Sequence, residues 1–141
     1  MVSSKIVFGL LAFIFVLHVV AIQKVLYWTY AWFDIPMHIL GGVWAALFFA
    51  WCAEHTNFLS FSIKEAKFMT SAIITLGFVA LFGIGWEIYE FIYDAFFSVS
   101  RNYAFLLQLS AADTIADLFF DILGGTVGFL CVYVPYLKSK A

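Results

Sequence analysis

Four long apolar runs dominate this chain and constrain its fold more than any other feature. They cover about residues 6–22, 35–53, 68–97 and 111–136. A helix of about 20 residues crosses the hydrocarbon core of a bilayer, and ~17 residues is the practical minimum. The runs therefore predict an all-α fold, a polytopic membrane helical bundle of four transmembrane helices joined by short interfacial segments.

The composition also indicates lipid as the solvent. Of the 141 residues, 65% are hydrophobic and only 11% are charged. A soluble domain of this size is about 25% charged, so too few polar groups remain here to cover a globular surface. The length suits one compact bundle, and we expect a single transmembrane domain over residues 1–141. The net charge of −2 gives no indication of a nucleic-acid partner.

The first two runs need individual interpretation. Residues 6–22 follow Lys5 and could form the apolar region of a signal peptide, but they are long for that role, and we interpret them as a transmembrane helix. Residues 23–33 are rich in Tyr and Trp, which is typical of a membrane interface. The second helix opens with Asp34 and Pro36, and proline is tolerated in a first turn.

Lysine and arginine predict the orientation. Four crossings put both termini on one side, and cytoplasmic loops carry the excess of positive charge. We therefore predict both termini in the cytoplasm of a cell (inner) membrane. The terminal side holds Lys5, Lys64, Lys67, Lys138 and Lys140, whereas the other side holds Lys24 and Arg101.

Seven of the nine acidic residues fall toward the outer half of the bilayer in this topology. At ~100° per residue, the three on the third helix lie within about 60° of one another, and the three on the fourth lie within about 80°. His38 follows Asp34 by four residues, so both lie on one face of the second helix. The seven are Asp34, Glu87, Glu90, Asp94, Asp113, Asp117 and Asp121.

These polar stripes should face one another, because lipid cannot solvate them. An Asp at a helix centre costs roughly 2.5–3.5 kcal/mol on insertion scales, so either several carboxylates are protonated or cations neutralise them. We predict a divalent metal ion (Mn, Mg, Ca, Zn or Fe), since oxygen ligands with one imidazole suit these ions. The predicted ligands are Asp34, His38, Glu87, Glu90, Asp94, Asp113, Asp117 and Asp121.

Some of these residues have simpler explanations when taken singly. Asp34 alone would be a helix N-cap, and Asp113 would form a capping box with Ser110. His18 is a weak further candidate, for which an internal hydrogen bond is the better explanation. Glycines near the acidic residues should let the helices approach closely. They are Gly41, Gly42, Gly83, Gly85, Gly124, Gly125 and Gly128.

Three blocks of this sequence carry a resemblance to a known family. They are Asp34-x3-His38 with the following Gly-Gly, Trp86-Glu87-x2-Glu90, and Asp113-x3-Asp117-x3-Asp121-x2-Gly-Gly-x2-Gly. Over residues 34–130 the chain resembles the VanZ-like group of membrane proteins, in particular the inner-membrane branch typified by YjdF. The resemblance implies a small bacterial-type or archaeal-type membrane protein and leaves the reaction open. Asp121 departs from the Asn that stands there in many VanZ-like members.

Three functions remain open at this stage. The first is a metal-dependent hydrolase or transferase whose partner is a membrane lipid or lipid-linked small molecule, because such metals activate water and clamp a phosphoryl group. The second is a cation or proton transport component, which would need an oligomer and an acidic path through the inner half. The third is a non-catalytic protein whose helices are held together by the metal.

Overall fold

The computed structural model describes residues 2–56, 67–98 and 106–140, with side chains described up to residue 135. Four of its helices are long and apolar enough to cross a membrane, which confirms the predicted all-α membrane bundle. The predicted loops at 54–67 and 98–110 lie largely outside these ranges. The helices are α1 (Ser4–Gln23), α2 (Leu26–Thr29), α3 (Asp34–His55), α4 (Phe68–Tyr93) and α5 (Ala111–Lys140), and a π-helical turn (Asp94–Ser98) continues α4.

The start of α3 differs from the expectation for Asp34 alone. Phe33 occupies the N-cap position with no side-chain capping bond, and Asp34 is the first helical residue. The carboxylate of Asp34 lies instead beside the His38 ring, one turn along the helix. Pro36 falls in the first turn as predicted, where its missing N–H costs no helical hydrogen bond.

Helices α3 and α5 form the central pair, and glycines set their separation. A Cβ atom added at Gly42 would collide with the backbone carbonyl oxygen of Asp121, and one added at Gly124 with that of Ile39. Gly128 meets α3 in the same way, at the Val43 carbonyl. The predicted close packing is thus present at this interface, whereas Gly85 has open space around it.

The bundle has two chemically different ends. At the end where α3 finishes, the core is apolar and includes Val7, Phe49, Phe129 and Tyr133. Large apolar side chains also cover the outside, for example Leu81 at 70% exposure, as expected for a surface in contact with lipid. Most buried acidic side chains lie at the opposite end, where α3 and α5 begin and α4 finishes.

Helix α1 is the most peripheral of the four spans. Within the described elements its main packing partners are α3 and the short α2. Between α1 and α2 the chain turns at Val25, whose φ of 59° is a left-handed conformation that is unfavourable for a β-branched residue. The turn brings Tyr27 back against His18 of α1.

Candidate functional site

His38 is the centre of the acidic end. Its Nδ1 lies 3.3 Å from Asp121 Oδ1. Its Nε2 lies 3.5 Å from Asp34 Oδ1 and 3.6 Å from Asp117 Oδ1. The imidazole therefore has a carboxylate on one edge and two carboxylates on the other, drawn from α3 and α5.

Three of these groups could share one cation. The ligand atoms of Asp34, His38 and Asp117 all lie within 4.8 Å of one another. Biological cations take such ligands at ~2.0–2.6 Å, so one ion between the three atoms could reach all of them. The bond from Nδ1 to Asp121 would then fix the ring's orientation and tautomer, as a carboxylate commonly does behind a metal-ligating histidine.

Several buried carboxylate oxygens remain without a hydrogen bond. Within the described residues, Asp117 Oδ2, Asp121 Oδ2 and Glu87 Oε1 have no such partner, and all three side chains are buried. An unsatisfied polar group in an apolar environment is costly, and a charged one more so. A cation bound by Asp34, His38 and Asp117 would offset the charge of these carboxylates, and the oxygen-rich donor set fits a hard or borderline divalent metal.

Glu87 and Glu90 extend the site from α4. Glu90 Oε1 accepts a 2.9 Å hydrogen bond from Trp86 Nε1, one turn earlier on the same helix. Glu87 Oε2 accepts a 3.3 Å bond from Gln108 Nε2, which also reaches Thr114 Oγ1. Both carboxylates thus face the bundle interior, as their predicted stripe requires.

Asp94 and Asp113 bind the segment before α5. Asp94 accepts hydrogen bonds from the backbone N–H groups of Leu107 and Gln108 at 2.9–3.0 Å. Asp113 Oδ2 accepts one from the Leu109 N–H at 3.1 Å, and Ser110 Oγ accepts one from the Asp113 N–H. The capping interaction between Ser110 and Asp113 is therefore present, with the return bond at Leu109. In this arrangement both carboxylates anchor the chain.

A cavity of about 170 Å³ adjoins the cluster. Its polar lining comes from His38, Asp34, Asp121 and Glu90, together with His18 and Tyr27. His18 therefore shares a cavity with His38, which agrees with its place as a weak further candidate in the sequence. The cavity extends away from the acidic end between apolar side chains of α1, α3 and α4.

His18 makes the internal hydrogen bond expected of it. Its Nδ1 lies 2.8 Å from the Tyr27 hydroxyl oxygen, and its ring packs edge-on against Trp86, with 5.6 Å between centroids. Burial raises the pKa of Tyr27 above its ordinary value, and the charges of Asp34 and Glu90 add to the effect. Tyr27 therefore keeps its proton, and its hydroxyl can donate the hydrogen bond to His18 Nδ1.

Sequence reasoning assigned no role at this site to Trp86, Tyr27 or Gln108, although Trp86 belongs to one of the three sequence blocks. Trp86 could have been found, because it precedes Glu90 by four residues and so lies on the same helical face. Tyr27 and Gln108 lie in short connecting segments whose return to the bundle has no periodic signal. Their roles follow from the turn at Val25 and from backbone bonds to Asp94.

Comparison with known proteins identifies a family but no individual relative. A family model described as "Predicted membrane protein (DUF2238)" matches residues 2–138. No curated protein and no solved structure matches the chain.

Proposed function

We propose that this chain, which belongs to the DUF2238 family of predicted membrane proteins, is a metal-dependent hydrolase or transferase acting on a lipid-linked phosphate or ester. The observation that carries the proposal is the buried His38, with Asp34 and Asp117 on one ring nitrogen and Asp121 on the other. The finer VanZ-like relationship remains a prediction from the sequence blocks.

The argument for a metal begins with charge. Removing one partner of a buried ion pair leaves the other charge uncompensated, at a cost of about 3–5 kcal/mol. Buried charges are therefore stable only where opposite charges balance them. Even a protonated His38 would supply only one positive charge against three neighbouring carboxylates, and a His38 that ligates a metal is neutral and supplies none. A divalent cation would supply the balance and would be bound by Asp117, whose Oδ2 has no hydrogen-bond partner among the described residues.

Each residue of the cluster would have its own role in the proposed reaction. Asp34, His38 and Asp117 would hold the ion, and Asp121 would orient the ring of His38. Glu90 and the His18–Tyr27 pair line the cavity beside them, where a carboxylate and an imidazole can accept or return a proton. A bound divalent cation would supply a Lewis acid that polarises a phosphoryl or carbonyl oxygen and activates water.

The proposed location follows from the lysine distribution. With both termini in the cytoplasm of a cell membrane, the acidic end lies toward the outer leaflet. A substrate whose head group lies at the interface and whose tail lies in the bilayer would then meet the site without leaving the membrane. A lipid-linked substrate therefore suits this position better than a water-soluble one.

Transport is a weaker candidate than hydrolysis or transfer. The inner half of the bundle is filled by apolar groups such as Phe49 and Phe129, and its buried polar side chains in the described ranges are Ser71 and Thr75. A cation path through that half would need groups able to replace water around the ion. The other alternative is a metal that only holds the helices together, which would be bound without any turnover.

The test combines metal content with turnover. Full-length protein is purified without chelator as wild type, Asp117→Asn and Asp113→Asn, analysed for metals, and assayed on a synthetic lipid phosphate monoester, a lipid phosphodiester and a lipid carboxylic ester. We expect stoichiometric divalent metal and EDTA-sensitive turnover in the wild type and in Asp113→Asn, and loss of both in Asp117→Asn.

Two results would overturn the proposal. Metal-free wild-type protein, not activated by added Mn²⁺, Mg²⁺, Ca²⁺ or Zn²⁺, would refute the metal centre. Stoichiometric metal without turnover of any of the three lipids would refute the enzyme and leave the structural role.

A further inference from the structure

The cavity beside His38 is polar at one end and apolar along the rest of its length. His18 follows Leu11 by seven positions on α1, and Ala45 follows His38 by seven positions on α3; all four line the cavity. At 1.5 Å per residue, each interval spans about 10 Å along its helix. The apolar part therefore reaches about 10 Å from the polar end toward the middle of the bundle.

The walls of this apolar part also form part of the outer surface. Leu11 and Phe15 of α1 line the cavity and are 40% and 65% exposed, and Phe82 of α4 is 41% exposed. A side chain can line the cavity and also be exposed on the outer surface when the cavity opens between two helices. The seam between α1 and α4 is bridged nearer the polar end by the contact between His18 and Trp86. The opening thus lies at the depth of the hydrocarbon core.

The size of the cavity limits what can enter it. An apolar cavity of about 150 Å³ is known to hold benzene, so about 170 Å³ accommodates a segment of one hydrocarbon chain. A wholly water-soluble ligand would leave the apolar walls unmatched. Water would also be poorly held there, since a buried water needs two to four polar partners.

We propose that this cavity binds one hydrocarbon chain of a phosphate-bearing membrane lipid, which enters laterally between α1 and α4 and places its head group against the His38 cluster. The inference rests on the proposed function for the identity of the head group. A metal held by acidic ligands is complementary to phosphate. The chain itself is recognised by the apolar walls and the lateral opening, which are independent of any metal.

The experiment uses a phosphatidylglycerol with a diazirine in the middle of one acyl chain. Full-length protein in detergent is irradiated with this probe, and the adducts are mapped by mass spectrometry with and without excess unlabelled lipid. We expect competed adducts on the helices at Leu11, Ile14 or Phe82, whereas adducts on the lipid-facing Leu81 should resist competition.

Matched variants separate the cavity from the general surface. Ile14→Trp fills the cavity and should lower the competed labelling several-fold, whereas Val16→Trp, on the same helix but 58% exposed and outside the cavity lining, should not. Bound metal should be unchanged in both. Asp117→Asn should lose metal yet keep labelling in the cavity, so failure of the metal centre can be told from failure of the chain site.

Competition distinguishes the lipid source. Displacement by unlabelled phosphatidylglycerol identifies a glycerophospholipid chain, and selective displacement by a polyisoprenyl phosphate identifies an isoprenoid chain. Labelling that is spread over lipid-facing residues, resists both competitors and is equal in Ile14→Trp and Val16→Trp would overturn the inference.

Discussion

For single residues, the proposed metal centre depends on the different surroundings of the two ring nitrogens of His38. Nδ1 faces one carboxylate, and Nε2 faces two that also lie near each other. In a metal centre, a carboxylate on the Nε2 side can bind the ion directly. A carboxylate hydrogen-bonded to Nδ1 acts on the ion only through the imidazole. In such a centre Asp117 would bind the ion, and Asp121, one turn further along α5, would orient the ring.

The first prediction concerns Asp121→Asn. The amide keeps the size of the side chain but orients and polarises the His38 ring less well, so metal affinity should fall by about 10–100-fold, measured by titration of metal-depleted protein with Mn²⁺. Asp113→Asn is the matched control, since Asp113 is on the same helix and caps its start. Equal affinities for Asp121→Asn and wild type would rule out the assigned role.

At the element scale, the register of α3 on α5 is what brings His38 to Asp117 and Asp121. Gly42 and Gly124 allow this register because backbone carbonyls occupy the space where their side chains would begin. Close packing is the main source of helix association in a membrane, where apolar burial gives little driving force. The site and the interface therefore depend on each other.

The second prediction is that Gly42→Ala lowers the thermal midpoint. The added methyl group meets the Asp121 carbonyl, which cannot rotate away, and overpacking of this kind costs about 1–3 kcal/mol. Gly77→Ala is the control, because nothing lies within 4 Å of its new Cβ and alanine is the better helix former by about 1 kcal/mol. Similar midpoints for the two variants in a detergent melt would contradict the packing argument.

The spans and polar stripes could be predicted from sequence because both are periodic. Hydropathy alone predicts four crossings, and the spacing of Glu87 and Glu90 predicts their shared face. The bonds that hold Asp94 and Asp113 to the segment before α5 could not be predicted, since they depend on backbone N–H groups at Leu107 to Leu109 that every residue type except proline carries. The cavity depends on how α1 packs against α3, which the periodicity of the sequence does not specify.

At the scale of the whole molecule, the described part of the bundle places an acidic end over an apolar one. Its orientation determines which leaflet the site serves, and the third prediction concerns that orientation. A reporter active only in the cytoplasm should work when fused after residue 141, because lysines are concentrated on the terminal side. The same reporter fused after residue 98, three crossings into the chain, should be silent. The reverse pattern would place the site at the inner leaflet.

The proposed divalent cation would join α3 to α5 through Asp34, His38 and Asp117. An ion that binds only the native state adds RT ln(1 + [L]/Kd) to its stability, about 2.7 kcal/mol when the ion is at 100 times its Kd. Protons compete for the same ligands, so this contribution should shrink as pH falls.

The most direct measurement is a thermal melt in detergent, with and without EDTA, at neutral and acid pH, on wild type and Asp117→Asn. We predict that EDTA lowers the wild-type midpoint clearly at neutral pH and much less at acid pH, and that it shifts the Asp117→Asn midpoint little at either. Wild-type midpoints unchanged by EDTA at neutral pH, in protein from which no metal copurifies, would contradict the account and indicate a protonated hydrogen-bond network around His38.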